Sequence, residues 1–319
     1  MSILSRIFKS SAAKAGWTAV YEAPEGVFGV SIAAPAGVGV KPKVMKFGAL
    51  AGKILDSISL TELAKSVATG DFGWAVTLNR KDYKFLVIEE PAVNPDEMDE
   101  SVRWAVGGVI DFPLVDAEVA WMKIPTEKLP NRRPHIYVAA TQRGVVDRYR
   151  AIFKDAQLPL LALDVQETAF RNIAALASKS GEGLAFLAVG RQGVQFTVTF
   201  QGEMYLDRFT DDATWFADTV DPAAIERANE RIVLQVKRSI DFIGRTLPFV
   251  DISRVLLAPM PANIGLRDRI AENLTVPVEP LDLGSILDLS SVPSLSKAEA
   301  QVEYLVALGA ALRFENGRA

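Results

Sequence analysis

Two short apolar runs open the chain, at 17–21 and 27–32. They are separated by Glu22-Ala23-Pro24-Glu25-Gly26, which has the composition of a hairpin turn, so they read as paired strands. A third strand is expected at 43–47. Ser59-Leu60-Thr61-Glu62 has the spacing of a capping box and predicts a helix to about residue 68. Strands follow at 74–78 and 85–89. Asn94-Pro95-Asp96-Glu97 then offers an N-cap, a proline at the first helical position and two acids suited to the positive helix end. That helix should run to about residue 110, where Asp111-Phe112-Pro113 stops it.

Alternation at 117–121 predicts another strand, and 125–134, with Asn131, Arg132 and Arg133, reads as a surface connection. Strand, helix and strand are expected at 136–140, 143–156 and 160–165. The second half repeats the plan: helix 167–179, strands 183–188, 193–200 and 203–207, then a long helix. In that helix Ile232, Val236, Ile240, Ile243 and Leu247 recur at helical spacing, and Pro248 ends it. A buried strand at 254–257, a helix at 266–273, an extended segment at 276–281 and a helix at 298–312 complete the pattern. Two halves that each open with hairpin strands and then alternate helix and strand imply a duplicated α/β architecture of two lobes.

Length agrees, since 319 residues exceed what one hydrophobic core usually organises. The chain is 49% hydrophobic and 23% charged, the balance of a globular protein. With a formal net charge of −4 and no basic field, nucleic acid is not an expected partner. The lack of cysteine excludes disulfides, thiolate zinc sites and cysteine nucleophiles. No apolar run has the roughly 18–20 residues that span a bilayer; 302–312 is too short and is followed by Arg313. Residues 1–16 form a tail without the features of a secretory signal. Ile3, Leu4, Ile7 and Phe8 beside Arg6, Lys9 and Lys14 leave two readings, a frayed end or a peripheral contact with a membrane or partner.

Five blocks, in order, carry a resemblance: Val102-Arg103-Trp104 through Ile110-Asp111-Phe112-Pro113; Leu163 through Ala174; Gly202 through Arg208; Val236 through Phe242; and Arg254 through Pro259 followed by Leu274 through Leu281. In these the chain resembles the MshI family of MSHA-pilus biogenesis proteins, within the PilM/FtsA-like actin-fold group, over roughly 17–313. The resemblance implies a two-lobed actin/Hsp70-like fold with a small α+β subdomain inserted in the first lobe. The first lobe would be 17–165 with the insert at about 85–124, and the second lobe 166–319. It also implies a cytoplasmic scaffold, at the inner-membrane face, that binds the cytoplasmic N-terminus of a PilN-like inner-membrane pilus protein. The partner groove would be lined near Trp104, Phe112, Pro113 and Trp121; the competing reading places these aromatics in the subdomain core.

Actin-fold ATPases cradle phosphates with two Asp-x-Gly hairpins, where glycine lets the backbone approach and the acid serves metal-bound water. Here Glu22 would take the first acid's place, but Pro24 has no N–H to offer, and Ala188 stands where the second acid belongs. The second hairpin keeps Gly190 and Gly193, and the third loop is Ala258-Pro259-Met260-Pro261. Lys237 and Arg238 resemble the pair flanking adenosine in Hsp70-like proteins, or else form the solvated face of their helix. The expectation is no enzyme and no cofactor beyond residual ATP binding through Glu22, Gly190, Gly193, Lys237 and Arg238. An actin-fold ATP-binding protein or weak ATPase, and an FtsA-like self-associating filament former, are the alternatives. The lone His135 suggests no catalytic triad, and the acidic clusters Glu89-Glu90 and Asp96-Glu97-Asp99-Glu100 read as helix-start caps and solvated charge, not a metal site.

Overall fold

The structure is a computed structural model and describes residues 15–37, 39–125, 133–217, 221–260 and 265–314. The tail at 1–14, most of the connection at 125–134 and Pro261 of the third loop lie outside the described residues. The chain divides into two compact units. The first takes the chain to Ala169 and regains Asp288–Val292 and the stretch from Val306; the second takes Phe170–Leu287 and Pro293–Leu305.

In chain order the first unit has β1 (Gly16–Ala23), β2 (Gly26–Ala33), β3 (Lys43–Ala51), α1 (Ser57–Val67), β4 (Gly73–Thr77), β5 (Tyr83–Glu89), α2 (Met98–Val106), β6 (Ala117–Lys123), β7 (His135–Gln142), α3 (Arg143–Asp155) and β8 (Leu160–Asp164). Its main sheet has the order β3-β2-β1-β4-β8, the first three antiparallel and the last three parallel. Leu60, Leu63 and Val67 of α1 and Val146, Tyr149 and Phe153 of α3 cover one face of it, against Val20, Trp74 and Val76. The Trp74 and Phe153 rings meet edge to face, centroids 6.1 Å apart, the arrangement their quadrupoles favour.

The cap of α1 lies three residues earlier than Ser59. Asp56 accepts from the Ser59 N–H at 2.7 Å, and the Ser59 hydroxyl bonds the Asp56 N–H at 2.9 Å, a reciprocal pair that places Ser59 inside the helix. The cap of α2 also shifts. Asn94 belongs to a turn closed by Glu97 N–H on its carbonyl at 3.0 Å; the helix starts at Met98 and ends before Gly107-Gly108, where backbone freedom disfavours continuation to residue 110.

A second, three-stranded sheet has the order β5-β7-β6, all antiparallel. Its central strand is β7, so this small sheet reaches Gln142, past the segment 85–124. Leu86, Ile88, Val119, Trp121, Ile136 and Val138 face Met98, Val102 and Val106 of α2. On the opposite face Tyr83, Phe85, Ala120, Met122 and Ala139 join the core beneath α1 and α3.

The chain enters the second unit within α4 (Gln166–Ala177). There follow β9 (Gly183–Gly190), β10 (Gly193–Phe200), β11 (Glu203–Thr210), α5 (Pro222–Thr246), β12 (Ile252–Leu257), α6 (Leu266–Asn273), β13 (Val278–Pro280), α7 (Leu283–Ile286) and α8 (Ala298–Ala311). The sheet order β11-β10-β9-β12-β13 repeats the first: three antiparallel strands joined to two parallel ones. α5 begins as its sequence suggests, with Asp221 accepting from the Ala223 N–H at 3.0 Å and proline in the first turn. Its buried stripe is Ile232, Val236, Ser239 and Ile243. Among the described residues no helix is long and apolar enough to cross a membrane.

Candidate functional site

In open α/β sheets, ligands gather outside the carboxyl ends of parallel strands. In the first unit those ends carry Glu22 after Tyr21 of β1, Thr77 of β4 and Asp164 of β8. Glu22 is half-buried, and both its oxygens are engaged: Oε1 accepts from the Leu55 N–H at 3.0 Å, and Oε2 from Arg148 Nη2 at 3.2 Å. The carboxylate ties β1 to the segment before α1 and to α3. The turn that follows it, Pro24-Glu25, joins β1 to β2 across the Ala23–Gly26 pair.

Beside it lies a buried polar cluster that sequence reasoning did not assemble. The Tyr83 hydroxyl donates to Glu167 Oε2 at 2.7 Å, the Gln166 N–H donates to Tyr83 at 3.3 Å, and Gln166 Nε2 donates to the Tyr21 hydroxyl at 3.2 Å. Glu167 is fully buried; its other oxygen faces Arg80 Nε at 3.6 Å, an ion pair longer than a hydrogen bond. Burial, the largest influence, pushes the Glu167 carboxyl up, although Arg80 and Tyr83 oppose it. Asp164 Oδ1 accepts from the Val165 N–H at 3.0 Å and from Thr168, and Oδ2 from Arg313 Nη1 at 3.1 Å. The available signal was Gln166-Glu167 directly after an apolar strand; Arg80 and Arg313 carried none.

Gly190, Gly193, Lys237 and Arg238 belong to the second unit. Gly190 and Gly193 face each other across the two-residue turn Arg191-Gln192. A Cβ on Gly193, at φ 130°, would lie 2.4 Å from the Thr210 carbonyl oxygen, so β11 alone requires glycine there; Gly190 has room for a side chain. Ala188 is buried opposite Gln195. Lys237 and Arg238 are exposed on α5. α5 is tied to β11 through other residues, with Arg208 Nη1 donating to the Ser239 hydroxyl at 3.1 Å and the Thr210 hydroxyl to Gln235.

On the small sheet, Trp104 is 67% exposed, with its indole N–H 3.5 Å from Glu100. Pro113 is exposed and Phe112 half-buried. Trp121 is half-buried under α2, where its Nε1 donates to Asp99 Oδ1 at 2.8 Å. Among the described residues no group of three or more His, Asp or Glu could hold a metal ion.

The sequence matches no protein-family model and no curated relative. Solved structures do match. The chain is similar to one from a PilM-PilN type IV pilus biogenesis complex, with 18% identity over 94% of this chain and 98% of that one, and a TM-score of 0.73. The chain has an actin-like fold of the PilM kind. It is similar too to the cytoplasmic domain of EpsL, an inner-membrane component of the type II secretion system of Vibrio cholerae, at 12% identity, 94% and 96% coverage and a TM-score of 0.50. In this PilM-like chain the β1–β2 hairpin carries Pro24 in its turn and β9 carries Ala188 two residues before Gly190.

Proposed function

We propose that this chain is a cytoplasmic scaffold of a type IV pilus assembly platform, of the MSHA type. It binds the cytoplasmic N-terminal segment of a PilN-like inner-membrane protein and does not turn over nucleotide. The carrying observation is the likeness of fold, along nearly the whole length of both chains, to the PilM-PilN complex structure. The order of the sequence blocks around Trp104, Asp164 and Arg238 favours the MSHA branch.

The hairpins speak against turnover. Ala188 supplies no carboxylate, Pro24 supplies no N–H, and the Glu22 carboxylate is held by Leu55 and Arg148. The exposed Trp104 is the anchor we assign to the partner, worth about 2 kcal/mol if it is a hot spot.

Co-purification with the N-terminal segment of the PilN-like protein from the same genome tests the reading. A stable complex, weakened by Trp104→Ala, is expected. No binding by two folded proteins would overturn it. Deleting 85–124 is unsuitable, because both neighbours of β7 would go with it.

A further inference from the structure

The outward side of α2 combines exposed apolar side chains with an excess of acids. Trp104, Val109 and Val115 are 67%, 57% and 70% exposed, the first in the last turn of the helix and the other two in the stretch that follows it. Arg103 holds Val115 there, its Nη2 donating to the Leu114 and Val115 carbonyls at 2.7 and 3.2 Å. Residues 94–116 also contain six acids against one base, Arg103, whereas the whole chain has a formal net charge of only −4.

The acids share the apolar stripe. Met98, Val102 and Val106 turn inward, so Glu97, Glu100 and Trp104, at helical spacing, lie on the opposite side. Asp96, Glu97, Asp99 and Glu100 are all exposed. Arg103 is the one base among six acids in this stretch and Lys84 is paired with Asp111 at 2.9 Å, so the row Glu97–Glu100 keeps an excess of negative charge. An exposed indole inside a field of one sign fits a chain of the other sign with apolar side chains.

We infer that the outward face of α2 docks a basic, partly apolar segment of a partner chain, with Trp104, Val109 and Val115 as its apolar floor and Glu97 and Glu100 as its charge partners. For the identity of the segment this rests on the scaffold reading: cytoplasmic segments flanking a membrane span are rich in Lys and Arg, which is the complementary charge. The charge and the exposed indole do not depend on that reading.

The test uses the full chain and two labelled synthetic peptides of about 14 residues, one built from Leu, Lys and Gln, the other with Glu for every Lys. Fluorescence anisotropy should show binding of the Lys peptide only, weakening steeply with salt. Trp104→Ala, and Glu97→Gln with Glu100→Gln, should each weaken it about tenfold while circular dichroism stays unchanged. Equal binding of both peptides, or affinity that survives both variants, overturns the inference. The PilN-like segment serves as a third probe. If it binds the wild-type chain and ignores both variants, this face is not its dock and the scaffold reading stands. If it fails to bind while the Lys peptide shows the expected losses, the face stands and the scaffold reading falls.

Discussion

Asp164 and Arg313, far apart in the sequence, form a buried ion pair of 3.1 Å in which the two side chains are 1% and 6% exposed. The Arg313 guanidinium also lies over the Trp17 ring, 4.7 Å from its centroid. Arg313, just after α8, is thereby fastened to the first and last parallel strands of the main sheet. Gly309 allows this approach, since a Cβ there would lie 2.3 Å from the Ala169 carbonyl oxygen.

Removing one member of a buried pair leaves the other charged and unpaired, so Arg313→Ala should destabilise the first unit by about 3 kcal/mol or more. Urea unfolding followed by Trp17 and Trp74 fluorescence reads this directly. A midpoint equal to wild type would mean the pair contributes nothing.

Acid should weaken the second unit through Glu182. Burial alone would raise its carboxyl, but Arg254 Nε at 2.8 Å, the Lys179 N–H at 2.7 Å and the Ser253 hydroxyl at 2.6 Å overcome that and hold it at about 2. The unfolded value is 4.5, so the stabilisation is complete above that pH and disappears as pH falls towards 2. It amounts to roughly 2 kcal/mol, allowing for the solvent-facing edge of the pair. Glu182→Gln should flatten the acid limb of the thermal midpoint; an unchanged limb would assign acid sensitivity to other carboxylates.

Glu167 has the opposite sign. Its carboxyl is raised, chiefly by burial, so the proton it keeps in the fold favours the folded state at low pH, and that advantage is lost as pH rises through the folded value. Glu167→Gln retains an oxygen to accept from Tyr83 and cannot ionise. The variant should lose less stability than wild type between acid and neutral pH. Parallel profiles would place the ionised carboxylate, matched by Arg80, in the fold throughout.

Phosphate release from ATP with magnesium should stay at background, and Glu22→Gln should not alter it. Any ATP affinity should be weak and reduced by Lys237→Ala. Metal-dependent release lost in Glu22→Gln, or nanomolar binding indifferent to Lys237→Ala, would restore the enzyme reading.

The two-lobed α/β plan was legible because apolar strands and amphipathic helices leave local periodicities, as in Ile232, Val236 and Ile243 of α5. Cap positions were less so: Asp56 and Ser59 both belong to one capping box, and composition alone does not say which residue opens it. Long-range chemistry was not legible. Nothing near Arg80 or Arg313 indicates that either meets a buried acid, and Trp104 and Trp121 look alike until the small sheet assigns one to the surface and the other to the underside of α2.

The order β5-β7-β6 sets a schedule for synthesis. On a growing chain both outer strands leave the ribosome before the strand that pairs with them, and they share no ladder with each other. Until His135–Gln142 emerges, Leu86, Ile88, Val119 and Trp121 have no sheet on which to gather, and the backbone edges of β5 and β6 stay open to foreign strands. The face that bears Trp104 is therefore completed only when the strand leading into α3 has been made, while α3, β8 and the late segments of the first unit are still to come.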